Sequence, residues 1–291
     1  MAVIRHGEGA TLRGRLGRAV LFGAIAAYLI LPMVAVVLYS FATRWSDHVL
    51  PDGYTLEWWA STVTNSAVQS AFEVTLLLAT LTAVIDTALV VPAAYWARVR
   101  NPRIRTWIEI AAAIPFALPY IVIAFGLLQF SGMVVPSLQG TLPLLVFGHA
   151  AIAFPFMYWA VDGSMAASGI EQLSEAAEAC GASPLRIIWR VVLPNIGAGI
   201  VSGALLSFAT SFGEFAMVQT LARGVFTIPI WSASQIRSYS GEPGAFNRLA
   251  AVTVISFIVL FVLSAIVVYR SRGQSVRLLP GVGANEGRPA A

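Results

Sequence analysis

Lysine is absent from the 291 residues, and charged residues of any kind make up only 11% of the chain. Without lysine there is no Walker A string, GxxxxGK followed by Ser or Thr, so any ATP must be hydrolysed by another polypeptide. Cysteine occurs once, at Cys180, which excludes an intramolecular disulfide and a cysteine cluster for a metal. The three histidines stand far apart, and no GxSxG string occurs. We therefore expect a protein that is not an enzyme, with no catalytic residue, metal or cofactor.

Apolar residues are abundant instead: they make up 58% of the chain, and the mean hydropathy is +0.78. Such a composition is typical of integral membrane proteins. Six apolar runs are each about 20 residues long, enough to cross ~30 Å of hydrocarbon. They cover residues 19–39, 75–96, 107–130, 142–161, 196–221 and 250–269. The expected fold class is an all-α membrane protein with six transmembrane helices. The first run is longer than a signal-peptide core and is expected to be a retained anchor.

All 18 basic residues are arginines, and most of them lie at the ends of the apolar runs. With six spans, 14 arginines fall on the side of the two termini and four fall on the other side. Because positive charge favours the cytoplasmic side, both termini are predicted to be cytoplasmic. The predicted organisation is a tail at 1–18, a transmembrane domain at 19–272 and a disordered tail at 273–291. The same placement argues against nucleic-acid binding, despite a pI of about 9.6.

A moderately polar stretch, residues 175–195, separates the fourth run from the fifth. The Glu and Ala residues from Glu171 to Ala179 favour a short helix, and Gly181 permits a turn after it. Ser183 as N-cap and Pro184 at the first helical position predict a second helix. Its apolar residues recur every three or four positions, at Leu185, Ile188, Trp189 and Val192. The stretch therefore predicts two short helices joined by a turn.

The spacing within this stretch resembles a known motif. Glu175-Ala176-Ala177, three residues, Gly181, nine residues and then Val191-Val192-Leu193-Pro194 resembles the EAA loop of membrane subunits of bacterial ABC importers. The family usually has Ile at the position of Val191, a conservative difference. An amphipathic connector of an unrelated membrane protein is the alternative, since EAA and LP are each common strings, but it leaves the full spacing unexplained.

The resemblance implies a type I ABC importer permease (MetI-like) fold in the bacterial inner membrane, with the EAA loop, about residues 162–195, in the cytoplasm. In that family the loop inserts its helix–turn–helix into a cleft of a separate ABC ATPase subunit. It also implies a second permease subunit, homologous or identical, and an extracytoplasmic substrate-binding protein, within membrane lipid. The residues expected to couple the chain to the ATPase are Glu175, Ala176, Ala177, Gly181, Leu193 and Pro194.

Three carboxylates fall inside the apolar runs, at Asp86, Glu109 and Glu214. A charged group in lipid is costly, by roughly 2.5 to 3.5 kcal/mol for Asp at a helix centre, so each should face protein or water. Glu109 is near a span end and can reach the interface. Asp86 and Glu214 are candidates for the translocation pathway, and the alternative is that each is a satisfied interhelical hydrogen-bond partner.

Small residues recur every four positions in the fifth run, which allows another helix to approach closely. They are Gly199, Gly203, Ser207 and Ser211. Glu214 follows Ser211 by three residues and continues this face on a helical projection. We expect this face to meet either the second permease subunit or the pathway.

A second resemblance lies beyond the EAA loop. Ser211-Phe212-Gly213-Glu214-Phe215, Thr227-Ile228-Pro229-Ile230 and Ser234-Gln235-Ile236-Arg237 look like the polyamine, ferric-iron, thiamine and aminoethylphosphonate permeases, although Gly-Glu-Phe is also similar to sulfate and molybdate permeases. The resemblance covers residues 58–270. From another class, an ion-coupled secondary transporter would favour inverted repeats and leaves the EAA spacing unexplained. A non-transport membrane scaffold accounts for neither the prolines nor the carboxylates inside the spans.

Overall fold

The structure is a computed structural model and describes residues 12–45, 48–222, 224–237 and 244–275. These residues are mainly helical, with one isolated antiparallel bridge between Ala42 and Tyr54. The disorder expected at the C-terminus falls largely on 276–291, outside the described residues. The helices are α1 (Leu12–Phe41), α2 (Glu57–Val63), α3 (Ser66–Tyr95), α4 (Pro102–Ala117), α5 (Tyr120–Val134), α6 (Leu142–Ala167), α7 (Ile170–Ala179), α8 (Pro184–Ile187), α9 (Leu193–Asn195), α10 (Gly197–Phe212), α11 (Ala216–Leu221), α12 (Ile228–Arg237) and α13 (Ala245–Ser275). Wider π-helical turns at Trp96–Arg100 and Ile188–Val192 continue α3 and α8.

Four helices are each long and apolar enough to cross a bilayer, which confirms the first, second, fourth and sixth predicted spans. They comprise Gly17–Phe41, Ser66–Arg100, Leu142–Ala167 and Ala245–Tyr269. Two bent helix pairs bring the total to six if each pair counts as one crossing. The predicted all-α membrane fold is therefore confirmed, whereas an exact count of six remains a prediction.

The third predicted span is not one continuous helix. The chain turns by 109° between α4 and α5. Leu118 takes an extended backbone conformation directly before Pro119, as expected for a residue that precedes proline. Pro119 also provides no N–H for a helical hydrogen bond. Pro119 therefore breaks the helix in this run.

The fifth predicted span also differs from the structure. The 76° bend between the helices Pro184–Asn195 and Gly197–Phe212 lies at Ile196, where the predicted span begins. The helix of the span, however, ends at Phe212, nine residues before the predicted end at Leu221, and α11 starts at Ala216. The apolar composition continues across this break, so hydropathy alone gave no sign of it.

The first compact unit, within 12–64 and 244–257, is held by polar contacts to backbone carbonyls. The indole of Trp58 donates to the carbonyl of Ala42 at 2.9 Å, and the amide of Asn247 donates to the carbonyls of Tyr39 and Ala42. The ring of Trp59 stacks on Phe41, with centroids 5.0 Å apart. Both tryptophans therefore make structural contacts within this unit.

The second compact unit, within 65–237 and 258–275, has α3, α6 and α10 at its centre. The small-residue stripe of α10 is buried against α6: a Cβ at Gly199 would lie 2.7 Å from the carbonyl oxygen of Ala160, and one at Gly203 would lie 2.7 Å from the sulfur of Met157. The expectation that this face meets a second subunit or the pathway is therefore wrong. The missing Cβ atoms let α6 and α10 approach closely within one chain.

Candidate coupling site and buried carboxylates

The EAA loop forms the predicted pair of short helices. It starts at Ser168, later than the expected 162, because α6 continues to Ala167. Helix α7 is the first arm, and the segment from Pro184 to Asn195 is the second arm. The predicted second helix is therefore present, although its middle, Ile188–Val192, is a π-helical turn.

Gly181 closes the first arm with a backbone conformation that glycine favours. Its φ is +78°, in the left-handed region, while a Cβ at this position would meet no atom within 4 Å. The N–H of Gly181 donates to Glu178 at 2.8 Å, and the N–H of Ala182 donates to Ala177 at 3.0 Å. This is the Schellman pattern that satisfies the last carbonyls of a helix. Glycine is therefore favoured at this position because of its positive φ, and not because a side chain would lack space.

The second arm begins as the sequence predicts, with Ser183 at the N-cap and Pro184 at the first helical position. The hydroxyl of Ser183, however, makes no capping hydrogen bond. Proline fits there because the first turn of a helix leaves its N–H groups unpaired in any case. Ser183 thus contributes its extended backbone, and not its side chain, to the start of the arm.

One face of the loop packs against the core of the protein, and the other face is exposed. Ile187 and Val192 are fully buried in the core beneath the loop. The side chains of Leu185 and Trp189, one helical turn apart, are 66% and 65% exposed. Of the six predicted coupling residues, four are exposed and two, Ala177 and Leu193, are half-buried against that core. The exposed four are Glu175, Ala176, Gly181 and Pro194.

Three glutamates of α7 have different surroundings. Glu171 pairs with Arg98 at 2.8 Å, and Glu178 pairs with Arg100 at 2.7 Å. Glu175 is exposed and forms no ion pair within the described parts of the chain. Its carboxylate is therefore available to a partner protein, while the other two attach α7 to the end of α3.

An ion-pair network beneath the loop was missed in the sequence, where the arginines served only as topology signals. Arg98 donates through Nε and Nη2 to the two carboxylate oxygens of Asp162, at 2.8 and 2.7 Å. Arg105 reaches the same carboxylate at 3.2 Å and pairs with Glu109 at 2.9 Å. Glu109 thus has a local charge partner. The cluster of arginines after the second run was visible in the sequence and could have indicated an ion-pair network. Its main acidic partner, Asp162, is too distant in sequence to be recognised as such.

Asp86 belongs to α3 and is almost fully buried. One turn earlier on α3, the hydroxyl of Thr82 lies 3.2 Å from that of Ser211, which is 2.7 Å from Nδ1 of His149. Within the described residues, Oδ2 of Asp86 has no hydrogen-bond partner. Asp86 therefore belongs to a polar layer inside the helix bundle, and a role in the pathway remains a prediction.

Glu214 does not continue the α10 stripe, because α10 ends before it. Its two carboxylate oxygens accept hydrogen bonds from the N–H groups of Phe215 and Met217, at 2.9 and 2.8 Å. A carboxylate at a helix N-terminus satisfies unpaired donors and complements the helix dipole. Glu214 lies at the start of α11 and Asp86 lies in α3, and no hydrogen bond or ion pair joins the two in the described part of the chain. The observed partner of Glu214 is the start of α11, not the neighbouring span that the hydrogen-bond alternative assumed.

A polar cavity of about 550 Å³ lies near the other end of α11. Its lining includes Gln129 of α5, Gln139 of the segment before α6 and Thr220 of α11. None of these residues stood out in the sequence, because neutral amides and hydroxyls scattered over three segments form no motif. This cavity is an additional place where a polar solute can contact the chain.

Helices of transmembrane length, with an exposed pair of short helices between them, define a multi-pass membrane protein. A model of the family described as the binding-protein-dependent transport system inner membrane component matches residues 89–277. This is more than half of the sequence, and the chain therefore belongs to that family.

Two relatives carry names that refer to different solutes. A probable molybdenum ABC transporter permease protein of Haloferax volcanii is 32% identical over 178 residues, which are 59% of this chain and 65% of that protein. The spermidine/putrescine transport system permease protein PotC of Escherichia coli (strain K12) is 25% identical over 262 residues, 87% of this chain and 94% of that protein. The family is thus common to both, while the solute is not.

Among solved structures, a bacterial ABC transporter involved in the import of the acidic polysaccharide alginate superimposes with a TM-score of 0.69. The identity is 18%, and the match covers 91% of this chain and 98% of that chain. At this identity the likeness concerns the fold alone. The fold is that of a type I ABC importer permease, as the resemblance implied.

Proposed function

We propose that this chain is the permease subunit of an ATP-driven importer, and that its EAA loop couples it to a separate ABC ATPase. The exposed face of the loop, with Leu185, Trp189 and the unpaired carboxylate of Glu175, carries the proposal. Two exposed apolar side chains, next to a carboxylate that has no ion-pair partner among the described residues, fit a cleft on another protein better than they fit water. Family membership and the fold of solved importers support the same assignment.

Transport would follow from a difference in affinity between two states. ATP-driven closure of the ATPases would move the two arms of the EAA loop, and the arms would move the helices on which they rest. A ligand shifts such an equilibrium only as far as its affinities for the two states differ. The ATPases, and not this chain, would therefore supply the driving free energy.

The proposed solute is a small polar molecule delivered by an extracytoplasmic binding protein. The motifs around Glu214 favour the polyamine, ferric-iron, thiamine or aminoethylphosphonate group. The sulfate and molybdate group is the alternative, and the similarity to the probable molybdenum permease supports it. None of the described residues that line the polar cavity around Gln129, Gln139 and Thr220 is charged, so these residues give no preference between cations and oxyanions.

The decisive experiment is purification of the chain from its native membrane in a mild detergent. We expect an ABC ATPase to co-purify, and we expect the complex in proteoliposomes, with its binding protein, to take up solute only with ATP. Uptake of labelled spermidine, ferric iron, thiamine, aminoethylphosphonate, sulfate and molybdate would then be compared. Uptake driven by an ion gradient without ATP would identify a secondary transporter and contradict the proposal.

A further inference from the structure

The α6–α7 elbow, Ser168 and Gly169, is the place where the EAA loop leaves the helix bundle. Gly169 has a φ of +59°, so the helical path is interrupted here by a left-handed residue. Side chains anchor both ends of the loop: Ile170 is buried after the elbow, and the hydroxyl of Ser168 donates to the carbonyl of Asn195 at 3.1 Å. A junction of this kind can bend, unless contacts across it fix the angle between the two helices.

Arg98 makes such a contact, because its guanidinium binds both sides of the elbow at once. Two of its nitrogens hold Asp162, in the last two turns of α6, and the third holds Glu171, the second residue of α7. All three distances are between 2.7 and 2.8 Å. The planar fork of arginine suits this double engagement, which the single ammonium of lysine cannot reproduce.

The contact is shielded from water. The side chain of Arg98 is only 7% exposed and that of Asp162 only 13% exposed. Exposed ion pairs contribute little, whereas removing one member of a buried pair leaves an uncompensated charge. Without Arg98, Asp162 would retain Arg105 at 3.2 Å, but Glu171 would have no remaining ion-pair partner among the described residues. The loss would therefore fall on the α7 side of the elbow.

A second pair extends the attachment along α7. Glu178 lies seven residues, about two helical turns, after Glu171, and it pairs with Arg100 of the same π-helical turn at the end of α3. Ion pairs thus hold helix α7 at both ends, whereas Glu175, between Glu171 and Glu178, has no ion-pair partner among the described residues. Two glutamates fix the helix to the bundle, and the third is left for the partner.

We infer that Arg98 is a positioning residue that braces the α6–α7 elbow, so that movement of the EAA loop is passed to α6 and α3 and is not absorbed at Gly169. The inference rests on the proposed function, since it assigns the path by which ATPase closure reaches the spans. It adds a role for Arg98, Asp162 and Glu171, which lie outside the recognised EAA spacing.

The functional test compares Arg98→Gln with Arg103→Gln in the assembled transporter. Arg103 lies five residues after Arg98, near the start of α4, is exposed and forms no ion pair within the described residues, so its variant controls for loss of one positive charge. For Arg98→Gln we expect solute uptake per ATP hydrolysed to fall at least about fivefold, while ATP hydrolysis stays within about twofold of wild type. Arg98→Lys should recover only part of the ratio of solute uptake to ATP hydrolysed. An Arg98→Gln ratio equal to wild type would overturn the inference.

The structural test measures the elbow itself. Cys180 is the only cysteine, so Gly163→Cys, where a Cβ meets no atom within 4 Å, adds one label site on α6 to the existing one after α7. Spin labels on the two cysteines allow the distance between them to be measured by pulsed electron–electron resonance on the full chain in lipid nanodiscs. The distribution of this distance should be narrow for the Gly163→Cys parent and broader when Arg98→Gln is added. The Arg103→Gln distribution should stay narrow. Equal widths in all three would refute the brace.

Two further outcomes are also decisive. If Arg98→Gln does not insert or assemble, Glu171→Gln replaces it, because this half-exposed residue can be changed while Asp162 keeps both arginines. An unchanged width and coupling ratio in Glu171→Gln would contradict the inference. If the wild-type complex shows no ATP-dependent uptake, the proposed function fails, yet the comparison of widths still decides whether Arg98 braces the elbow.

Discussion

Asp86 and Glu214 were grouped by sequence as carboxylates inside apolar runs, but their surroundings have little in common. Glu214 accepts two backbone hydrogen bonds from the start of α11, and Asp86 lies one turn from the buried Thr82–Ser211–His149 contacts. Sequence could locate the charges because apolar flanks make them conspicuous. It could not assign their partners, since the break after Phe212 depends on a local cap that hydropathy does not detect.

At the residue scale, Glu214→Gln removes the charge but keeps one of the two capping oxygens. The other oxygen becomes an NH2 group, which is a donor and cannot accept the second of the two N–H groups that the carboxylate oxygens of Glu214 now satisfy. We expect reduced uptake with assembly and basal ATP hydrolysis preserved. Glu214→Leu should also impair assembly, because each N–H left unpaired in a buried site costs about 1–3 kcal/mol. Normal uptake by the Gln variant over a range of solute concentrations would leave capping as the only role of Glu214.

At the scale of elements, periodicity predicted the helices far better than their bends. The two arms of the EAA loop and four spans were predictable because caps, turns and apolar length act locally. The break at Pro119 was not, since proline kinks one membrane helix and breaks another, depending on which neighbours satisfy the freed backbone groups. Likewise, the small-residue stripe indicates close helix packing but does not identify the helix that packs.

The turn between the arms can be tested through its backbone alone. Gly181→Val places a β-branched residue at a φ of +78°, whereas Gly181→Asn places a residue that tolerates this region. We expect the Val variant to insert normally but to lose ATP-coupled uptake, and the Asn variant to keep most of it. Uptake and ATP hydrolysis by the assembled complexes measure the difference. Equal, near-wild-type coupling in both variants would show that the Schellman turn is dispensable.

The packing of α10 on α6 gives a second prediction for an element. A Cβ at Gly199 would lie 2.7 Å from a backbone carbonyl, which cannot move as a side-chain end can. Gly199→Ala should therefore destabilise the chain by about 1–3 kcal/mol, and its thermal transition should fall. Gly163→Ala on α6 is the matched control, because its Cβ meets open space and Ala favours the helix. A transition temperature unchanged by Gly199→Ala would place the α6–α10 contact elsewhere.

For the whole molecule, the sequence predicted the class of protein from quantities summed over the chain. Apolar content and the EAA spacing sufficed to predict a permease of the importer family, and the absence of a Walker A lysine adds the expectation of a separate ATPase. Solute identity was not predictable, because the relatives include a spermidine/putrescine permease and a probable molybdenum permease. Residues that line a cavity from three separate segments acquire a common meaning only after folding.

Orientation in the membrane follows from charge and is the remaining prediction at this scale. Of the 18 arginines, 14 lie on the side of the EAA loop in the six-span arrangement, so the loop should face the cytoplasm. Cys180 is exposed in that loop and is the only cysteine, so the unmodified protein already carries the probe. A membrane-impermeant maleimide should label Cys180 after permeabilisation but not in intact cells.

Asp52 provides the opposite arm of the same test, because it is exposed and precedes the second span. In a Cys180→Ser background, Asp52→Cys should react in intact cells, and Asn101→Cys, after the second span, should react only once cells are opened. An odd number of crossings between positions 52 and 101 requires opposite results for the two. Labelling of Cys180 in intact cells would put the EAA loop outside. That result would exclude docking to a cytoplasmic ATPase, because the face formed by Leu185 and Trp189 would then lie on the wrong side of the membrane.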